Sequence, residues 1–237
     1  MKVTILIPTL NEEAGIGPTL DGVDRDAFRT RGWDLELLVI DGNSSDRTRA
    51  VAEAKGARVV VEPRRGYGRA YKRGFDEATG DVIVTADADG TYPLDRAHAF
   101  VENLLEKGAD FLSCDRYARL QPGAMSRTHR FGNWVLSATA RGLFGVRLRD
   151  SQSGMWIIRR AALKGMPYDG FSEGMAFSQE LKIEALKRWK GRAFEVPGEL
   201  RPRIGKPVLN SWRDGLGNLR RLVTRRFGAS WRKSPPR

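Results

Sequence analysis

Short apolar runs alternate with stretches of helical periodicity along the first half of the chain. Val3–Ile7, Leu35–Ile40, Arg58–Val61 and Val82–Ala86 are brief and rich in β-branched residues, which predicts buried strands rather than helices. Helices are predicted between them, over about 12–22, 45–55, 68–79 and 94–107. This alternation implies an α/β fold, a mixed, mostly parallel sheet with helices on both faces. Beyond residue 110 the pattern loosens. Strands are expected near Asp110–Cys114, Met155–Ile158 and Ala193–Val196, and helices near 126–144, Glu173–Trp189 and Ser211–Phe227. No repeat or long linker interrupts the chain. Residues 1–219 therefore read as one domain and 220–237 as a basic, flexible C-terminal tail.

Ligands of such sheets bind beyond the carboxyl ends of the strands. Each of the first four strands is followed there by a polar, acidic or glycine-rich segment: Pro8–Glu13, Asp41–Asp46, Arg64–Gly68 and Asp87–Gly90. One polar loop says little, but four in phase predict a single site. Asp87-Ala88-Asp89 is the sharpest signal. Alternate residues of an extended segment point to one side, so two carboxylates can converge on an oxygen-seeking cation such as Mg²⁺ or Mn²⁺. Such an ion would bridge a diphosphate and steady the charge of the departing phosphate. Taken alone, the tripeptide reads as a solvated turn before Gly90; its phase with the other loops decides for the ion. Gly66-Tyr67-Gly68-Arg69-Ala70 opens a helix and lets the backbone approach a diphosphate, with Arg64, Arg65 and Arg69 nearby. It is neither a dinucleotide fingerprint nor a P-loop. Asp41 is placed to accept hydrogen bonds from a base or ribose, while Ser44, Ser45 and Asp46 read as helix caps. His98 and His129 have no second histidine or cysteine near them, and no nucleophile elbow occurs.

Charge sharpens the picture. Lys and Arg total 41 against 29 acidic residues, a net charge of +12, which favours a polyanionic partner. After Asp214 only basic charges follow, from Arg220 to Arg237. Nucleic acid is not the expected partner, since no recognition signature occurs and Asp87 and Asp89 would repel phosphate without a metal. The single cysteine, Cys114, excludes an intrachain disulfide and a cysteine zinc cluster. The N-terminal residues lack a signal-peptide pattern, and no run approaches the ~20 apolar residues that span a bilayer. A cytoplasmic protein, peripherally attached to a membrane, is the expectation.

The segments IPTLNEE (7–13), VIDGNSSDRT (39–48), RRGYGRAYKRG (64–74), TADADGTYP (85–93), DSQSGMWIIRR (150–160) and EVPGELRPRIGK (195–206) together resemble the family 2 glycosyltransferases of GT-A fold. Within that family they are most similar to the dolichyl-phosphate mannose synthase and polyprenyl-phosphate glucose synthase group. The resemblance implies an inverting, metal-dependent transfer of a hexose from a nucleotide-diphosphate sugar to a polyprenyl phosphate. It implies that Pro8, Leu10, Glu12 and Asp41 line the base and ribose pocket, with Arg64, Gly68, Ala70 and Ala88 along the rest of the donor site. Asp87 and Asp89 would hold the metal-bound diphosphate. Arg116 and Arg130 would bind the acceptor phosphate, and Gln152 and Glu180 would lie in the sugar and acceptor region. Arg203 would close over the phosphates, assisted by Lys206, since Val208 stands where relatives carry a lysine. Asp89, Arg116, Arg130 and Arg203 form the expected catalytic set.

A phosphate acceptor is already ionised, so it needs no strong base, and catalysis would rest on positioning and charge stabilisation. Thr91 stands where mannose synthases carry an amide, which leaves the donor's base and sugar open. A glycan or protein acceptor is the alternative. A nucleotidyltransferase of related fold is another, although such enzymes usually carry a glycine-rich basic loop where this chain has PTLNEE. The 126–144 helix pairs an apolar face with Arg127, Arg130, Arg141, Arg147 and Arg149, and relatives approach lipid through this region. Each such charge contributes ~1 kcal/mol of attraction to an anionic leaflet, and Trp231 in the tail suits the interface.

Overall fold

The computed structural model describes residues 1–205 and 211–228, the side chains of 211–214 excepted. In chain order the strands are β1 (Lys2–Thr9), β2 (Asp34–Asp41), β3 (Arg58–Val61), β4 (Val82–Thr85), β5 (Phe111–Asp115), β6 (Trp156–Arg159) and β7 (Ala193–Pro197). The helices are α1 (Glu13–Asp21), α2 (Arg25–Thr30), α3 (Thr48–Ala54), α4 (Tyr67–Glu77), α5 (Ala97–Glu106), α6 (Arg127–Phe144), α7 (Arg160–Leu163), α8 (Ala176–Arg188) and α9 (Ser211–Phe227). The strands form one sheet in the order β3-β2-β1-β4-β6-β5-β7. Every neighbouring pair is parallel except those made by β6, which runs against both β4 and β5.

Alternation of side chains splits β1 between two cores. Val3, Ile5 and Ile7 pack with Ile16 and Leu20 of α1, Phe28 of α2 and Val101 and Leu104 of α5. Leu6 faces the other way, with Tyr71 and Phe75 of α4 and Phe177 and Leu181 of α8. A strand covered on both faces has no polar side to show, which explains apolar residues in both phases of the strand; Thr4, a buried polar exception, donates its hydroxyl to Glu36 at 2.5 Å. Three features depart from the sequence expectation. Helices α2 and α7 are additional short elements, α2 capped by Asp24, whose carboxylate accepts the Ala27 N–H at 2.9 Å. The boundary expected after residue 219 falls inside α9, whose Leu222 and Arg225 are buried; the tail does not begin at 220. Residues 229–237, Trp231 among them, lie outside the described residues.

The loops that follow β1 and β2 are fastened to each other. Asn11, at φ 53°, accepts the Ser45 N–H at 2.9 Å and donates its own N–H to Ser44 Oγ at 2.9 Å. Glu12 N–H reaches Thr48 Oγ1 at 2.9 Å, and Glu13 N–H reaches Asp46 Oδ2 at 3.2 Å. The capping residues of the second loop therefore satisfy the open N-terminal amides of α1. That end of α1 presses on the loop after β4. A Cβ on Gly15 would stand 2.5 Å from the Ala88 carbonyl oxygen, and backbone offers no rotamer through which to yield. Gly15→Ala is expected to lower stability by about 1–3 kcal/mol, the usual range for overpacking, despite alanine's better helix propensity. Urea unfolding checks this; an unchanged midpoint would show that α1 and the 87–89 loop are not in register.

Candidate active site

One open cleft forms at the carboxyl ends of β1 to β4. Pro8, Thr9 and Leu10 come from the end of β1, Gly42 follows β2, and Asp87, Ala88 and Asp89 follow β4. Arg65, Gly66, Tyr67 and Ala70 come from the start of α4, and Glu12, Met175 and Arg203 complete the lining. The parallel pairing of β1 with β4, which sets Leu6 opposite Thr85, makes their following loops leave the sheet together. A separate depression between α5 and the end of β7, around Phe100, Asn103 and Pro197, contains none of the expected site residues.

The cleft is crowded with acids. Asp89 is buried, and its Oδ1 accepts Thr91 Oγ1–H at 2.7 Å and Thr91 N–H at 3.1 Å. Its Oδ2 accepts Arg203 Nη1–H at 2.5 Å, and the same guanidinium is ion-paired through Nη2 with Glu12. Burial raises the Glu12 carboxyl above its ordinary value, an effect that Arg203 only partly opposes. Asp87 has no hydrogen-bond donor among the described residues. Burial, and then the neighbouring Asp89 carboxylate, push it up to about 7. Its oxygens lie against Gly154: a Cβ there would stand 2.7 Å from the Tyr67 hydroxyl and 3.1 Å from Asp87 Oδ1. Gly154 N–H donates to the Tyr92 hydroxyl at 2.7 Å, which fixes the turn behind Asp87.

No group of three or more His, Cys, Asp or Glu that could hold a metal occurs among the described residues. Two crowded carboxylates beside an open cleft nonetheless fit Mg²⁺ or Mn²⁺, which take one or two protein carboxylates and complete their shell with water and phosphate oxygens. Arg203 already marks the place as one that draws a cation.

The other expected residues divide. Asp41 is fully buried beside Gly42. Its Oδ2 accepts Ser44 N–H at 3.0 Å and pairs with Arg49 at 3.5 Å, while Oδ1 is buried without a partner among the described residues. Arg64 is exposed and paired with Glu62 at 3.3 Å; Arg65 lines the cleft in its stead. Gly68 does not face the cleft. A Cβ on it would strike Ser172 O at 2.3 Å, so it is small in order to pack against the 172–177 segment. Arg116 grips Asp150 through Nε and Nη2 at 2.6 and 2.8 Å. Burial alone would raise Asp150, yet the Arg116 guanidinium holds it below its ordinary value. Arg130 is exposed on the first turn of α6, apart from the cleft lining. Gln152 is turned toward α8 and α9: Nε2 donates to Gln179 at 3.2 Å, and Oε1 accepts Asn218 Nδ2–H at 2.8 Å. Glu180 is fully buried, accepting Ser172 N–H at 2.6 Å and Arg221 Nε–H at 2.7 Å, so it holds scaffold together instead of lining the cleft. Lys206 lies outside the described residues. Sequence reasoning did not single out Met175, Tyr92 or Gly154. Met175 carries no local signal, whereas Tyr92 and Gly154 stood within the quoted TADADGTYP and DSQSGMWIIRR segments.

Comparison with known proteins agrees with this geometry. The model of Glycosyl transferase family 2 matches residues 4–166. The dolichyl-phosphate hexose transferase of Haloferax volcanii is 34% identical over 215 residues, 90% of this chain and 89% of that protein. Glycosyltransferase AglJ of the same organism is 34% identical over 187 residues, 78% of this chain but only 59% of AglJ. Glucosyl-3-phosphoglycerate synthase from Mycobacterium tuberculosis, solved with Mn²⁺ and UDP-glucose, superposes with a TM-score of 0.70 at 26% identity, over 96% of this chain and 79% of that one. The chain belongs to glycosyl transferase family 2, has the GT-A fold, and groups with the dolichyl-phosphate hexose transferases.

Proposed function

We propose that this glycosyltransferase moves a hexose from a nucleotide-diphosphate sugar to a polyprenyl phosphate at a membrane surface, inverting the anomeric carbon. The observation that carries the reading is the pair of carboxylates, Asp87 and Asp89, crowded on one wall of the cleft with Asp87 pushed up to about 7. A divalent ion held by these two would supply charge neutralisation to the departing diphosphate. Asp41 Oδ1, buried and unpartnered, would accept a hydrogen bond from the base or ribose, as a buried acceptor demands. Arg65 and the start of α4 would face the diphosphate, since helix starts favour anions, although the Arg69 and Ala70 amides are already donated to Glu173 O and Gly66 O. An ionised acceptor phosphate needs orientation more than deprotonation. Arg130 stays the candidate to orient it, while Arg116, committed to Asp150, would position the turn that carries Gly154.

Lipid at the acceptor side is supported by the outer faces of α6 and α9. Phe131 and Trp134, stacked 6.1 Å apart, are 66% and 59% exposed, and Leu216 and Phe227 are 70% and 68% exposed. Exposed Arg127, Arg130, Arg220 and Arg226 share these helices. No helix among the described residues is long and apolar enough to cross a membrane; the proposed contact is an amphipathic one through these two helix faces. A second reading, transfer to a small phosphorylated acceptor, draws on the likeness to glucosyl-3-phosphoglycerate synthase.

Incubation with Mn²⁺ or Mg²⁺, a panel of nucleotide sugars, and either a polyprenyl phosphate or 3-phosphoglycerate decides between these readings by product mass. A glycosylated lipid phosphate of inverted configuration is expected. Product from the soluble acceptor alone, or a retained anomer, would overturn the proposal. Asp89→Asn should lower turnover by on the order of 10²-fold or more, the scale of losing a charge-stabilising group.

Asp87 binds its proton more tightly in the fold than at its ordinary value of 3.8. The stabilisation this brings is complete below about pH 4 and lost as pH rises through about 7. Metal-free protein should therefore lose thermal stability across that window, and Asp87→Asn should remove this part of the loss. An identical pH profile in both proteins counts against a crowded pair. In flotation assays, vesicles containing phosphatidylglycerol should carry the protein and neutral vesicles should carry it weakly. Trp134→Ser with Phe131→Ser should weaken the first; equal recovery would place lipid contact elsewhere.

A further inference from the structure

Arg203 occupies the position that the proposed metal needs. It joins Asp89 Oδ2 to Glu12, so one guanidinium holds two of the three carboxylates that line the cleft. Its satisfaction is incomplete: Nε is buried and has no partner among the described residues. The segment around it lies along the 89–91 loop as a strap. Arg201 N–H donates to Thr91 O at 2.9 Å and Ile204 N–H to Asp89 O at 2.9 Å. The Ile204 side chain covers Gly90, where a Cβ would meet its Cδ1 at 2.8 Å. Behind Arg203, Arg201 is tied to Asp95 at 3.0 Å and to Glu199 at 3.1 Å. The strap is thus anchored at one end, and its arginine reaches into the acids at the other.

We infer that Arg203 is a resident counter-cation that the divalent ion must displace, so that metal binding and release of the Arg203 side chain are one exchange. The inference rests on the reading of Asp87 and Asp89 as metal ligands. The physical ground is that a divalent ion bound at Asp89 would stand within a few ångströms of the guanidinium hydrogen-bonded to Oδ2, where the two cations repel. Three carboxylates in one cleft call for a positive charge to offset their repulsion, and Arg203 supplies it. Were a divalent ion to take up Asp89, the guanidinium would keep only Glu12 of its two partners. The Arg201 anchor keeps it beside the cleft, where the diphosphate of the donor becomes its strongest available partner. Exchange of this kind makes metal and donor arrive together, because the cost of dislodging Arg203 is offset only when its charge is taken up again. It also keeps the cleft from holding bare metal tightly.

The test measures Mn²⁺ alone, with no nucleotide, from the free-ion electron paramagnetic resonance signal. Arg203→Ala should bind Mn²⁺ roughly tenfold or more tightly than the unaltered chain, within the usual range for coupled sites. Loss of a nearby charge would also help a cation, so displacement needs a sharper readout. Methylguanidinium added to Arg203→Ala should weaken Mn²⁺ binding competitively, and NaCl of equal ionic strength should not. Arg203→Lys, which keeps the charge without the fork, should fall between the two proteins. Asp89→Asn in either background should abolish the binding. If Asp89→Asn abolishes it but Arg203→Ala and methylguanidinium leave affinity unchanged, the exchange is wrong and the metal reading stands. If Asp89→Asn has no effect, or neither protein binds Mn²⁺, the metal reading fails and takes the exchange with it.

Discussion

Repulsion among carboxylates at the heads of β1 and β4 is the constraint around which the cleft is arranged. Glu12 follows β1, and Asp87 and Asp89 follow β4; the two strands are hydrogen-bonded neighbours. Their side chains therefore meet whether or not electrostatics favours it. At reduced dielectric, unit charges a few ångströms apart repel by several kcal/mol, and the fold answers by protonating Asp87 more readily and by lending Arg203 to the others. A cleft lined by acids would reject a diphosphate. A multivalent cation between them would remove the conflict, so the metal and the diphosphate donor of the proposal depend on each other.

Crowding of this sort persists only if the backbone cannot relax it away. The hydrogen bonds from Asn11, Glu12 and Glu13 into the 44–48 loop lock the first acid in place. Contact of Gly15 with the Ala88 carbonyl brings α1 against the other two. On the far side Gly154, held by Tyr92, leaves room for Asp87 and nothing more. Each of these fixings belongs to the scaffold, yet together they set the separation of the charges. A site whose groups are held in unfavourable proximity before the ligand arrives needs little reorganisation when it does.

Much of this was legible in the sequence because strand periodicity is strong and because ligands of α/β sheets gather at one known end. The four loops, the acid pair and the cleft-lining residues Pro8, Leu10, Glu12, Ala70 and Ala88 followed from that rule together with the motifs. The surroundings of three other expected residues did not. Arg116, Gln152 and Glu180 were matched by motif alone, and a motif does not say which way a side chain turns. The structure shows all three engaged with other protein groups: Asp150, Asn218 and Arg221 respectively. Arg64 and Arg65 illustrate the same limit at the scale of one residue. Both lie in a basic loop before a helix, and only the path of the turn decides that Arg65 lines the cleft while Arg64 pairs with Glu62.

Helix α8 shows why charge counted along the chain misleads about charge offered to a partner. It is wedged between the sheet, through Phe177 and Leu181, and the α6–α9 pair, through Ile183. Covered on both sides, it buries Glu180, Lys182 and Glu184. Buried charges must be met within the protein. Lys182 donates to the Asp150 carbonyl at 2.9 Å, Arg221 reaches Glu180, and Arg225 reaches Glu184 at 2.7 Å. The basic run of α9 is therefore divided by helical phase. Arg221 and Arg225 turn inward to neutralise α8, and Arg220 and Arg226 are left exposed. The count of arginines in α9 overstates what a lipid surface would feel by the two spent on these internal pairs, which already cancel within the net charge of +12. What recommends the outer face as a membrane contact is thus less the total charge than the conjunction, on the same two helices, of exposed basic residues with exposed aromatic and aliphatic side chains.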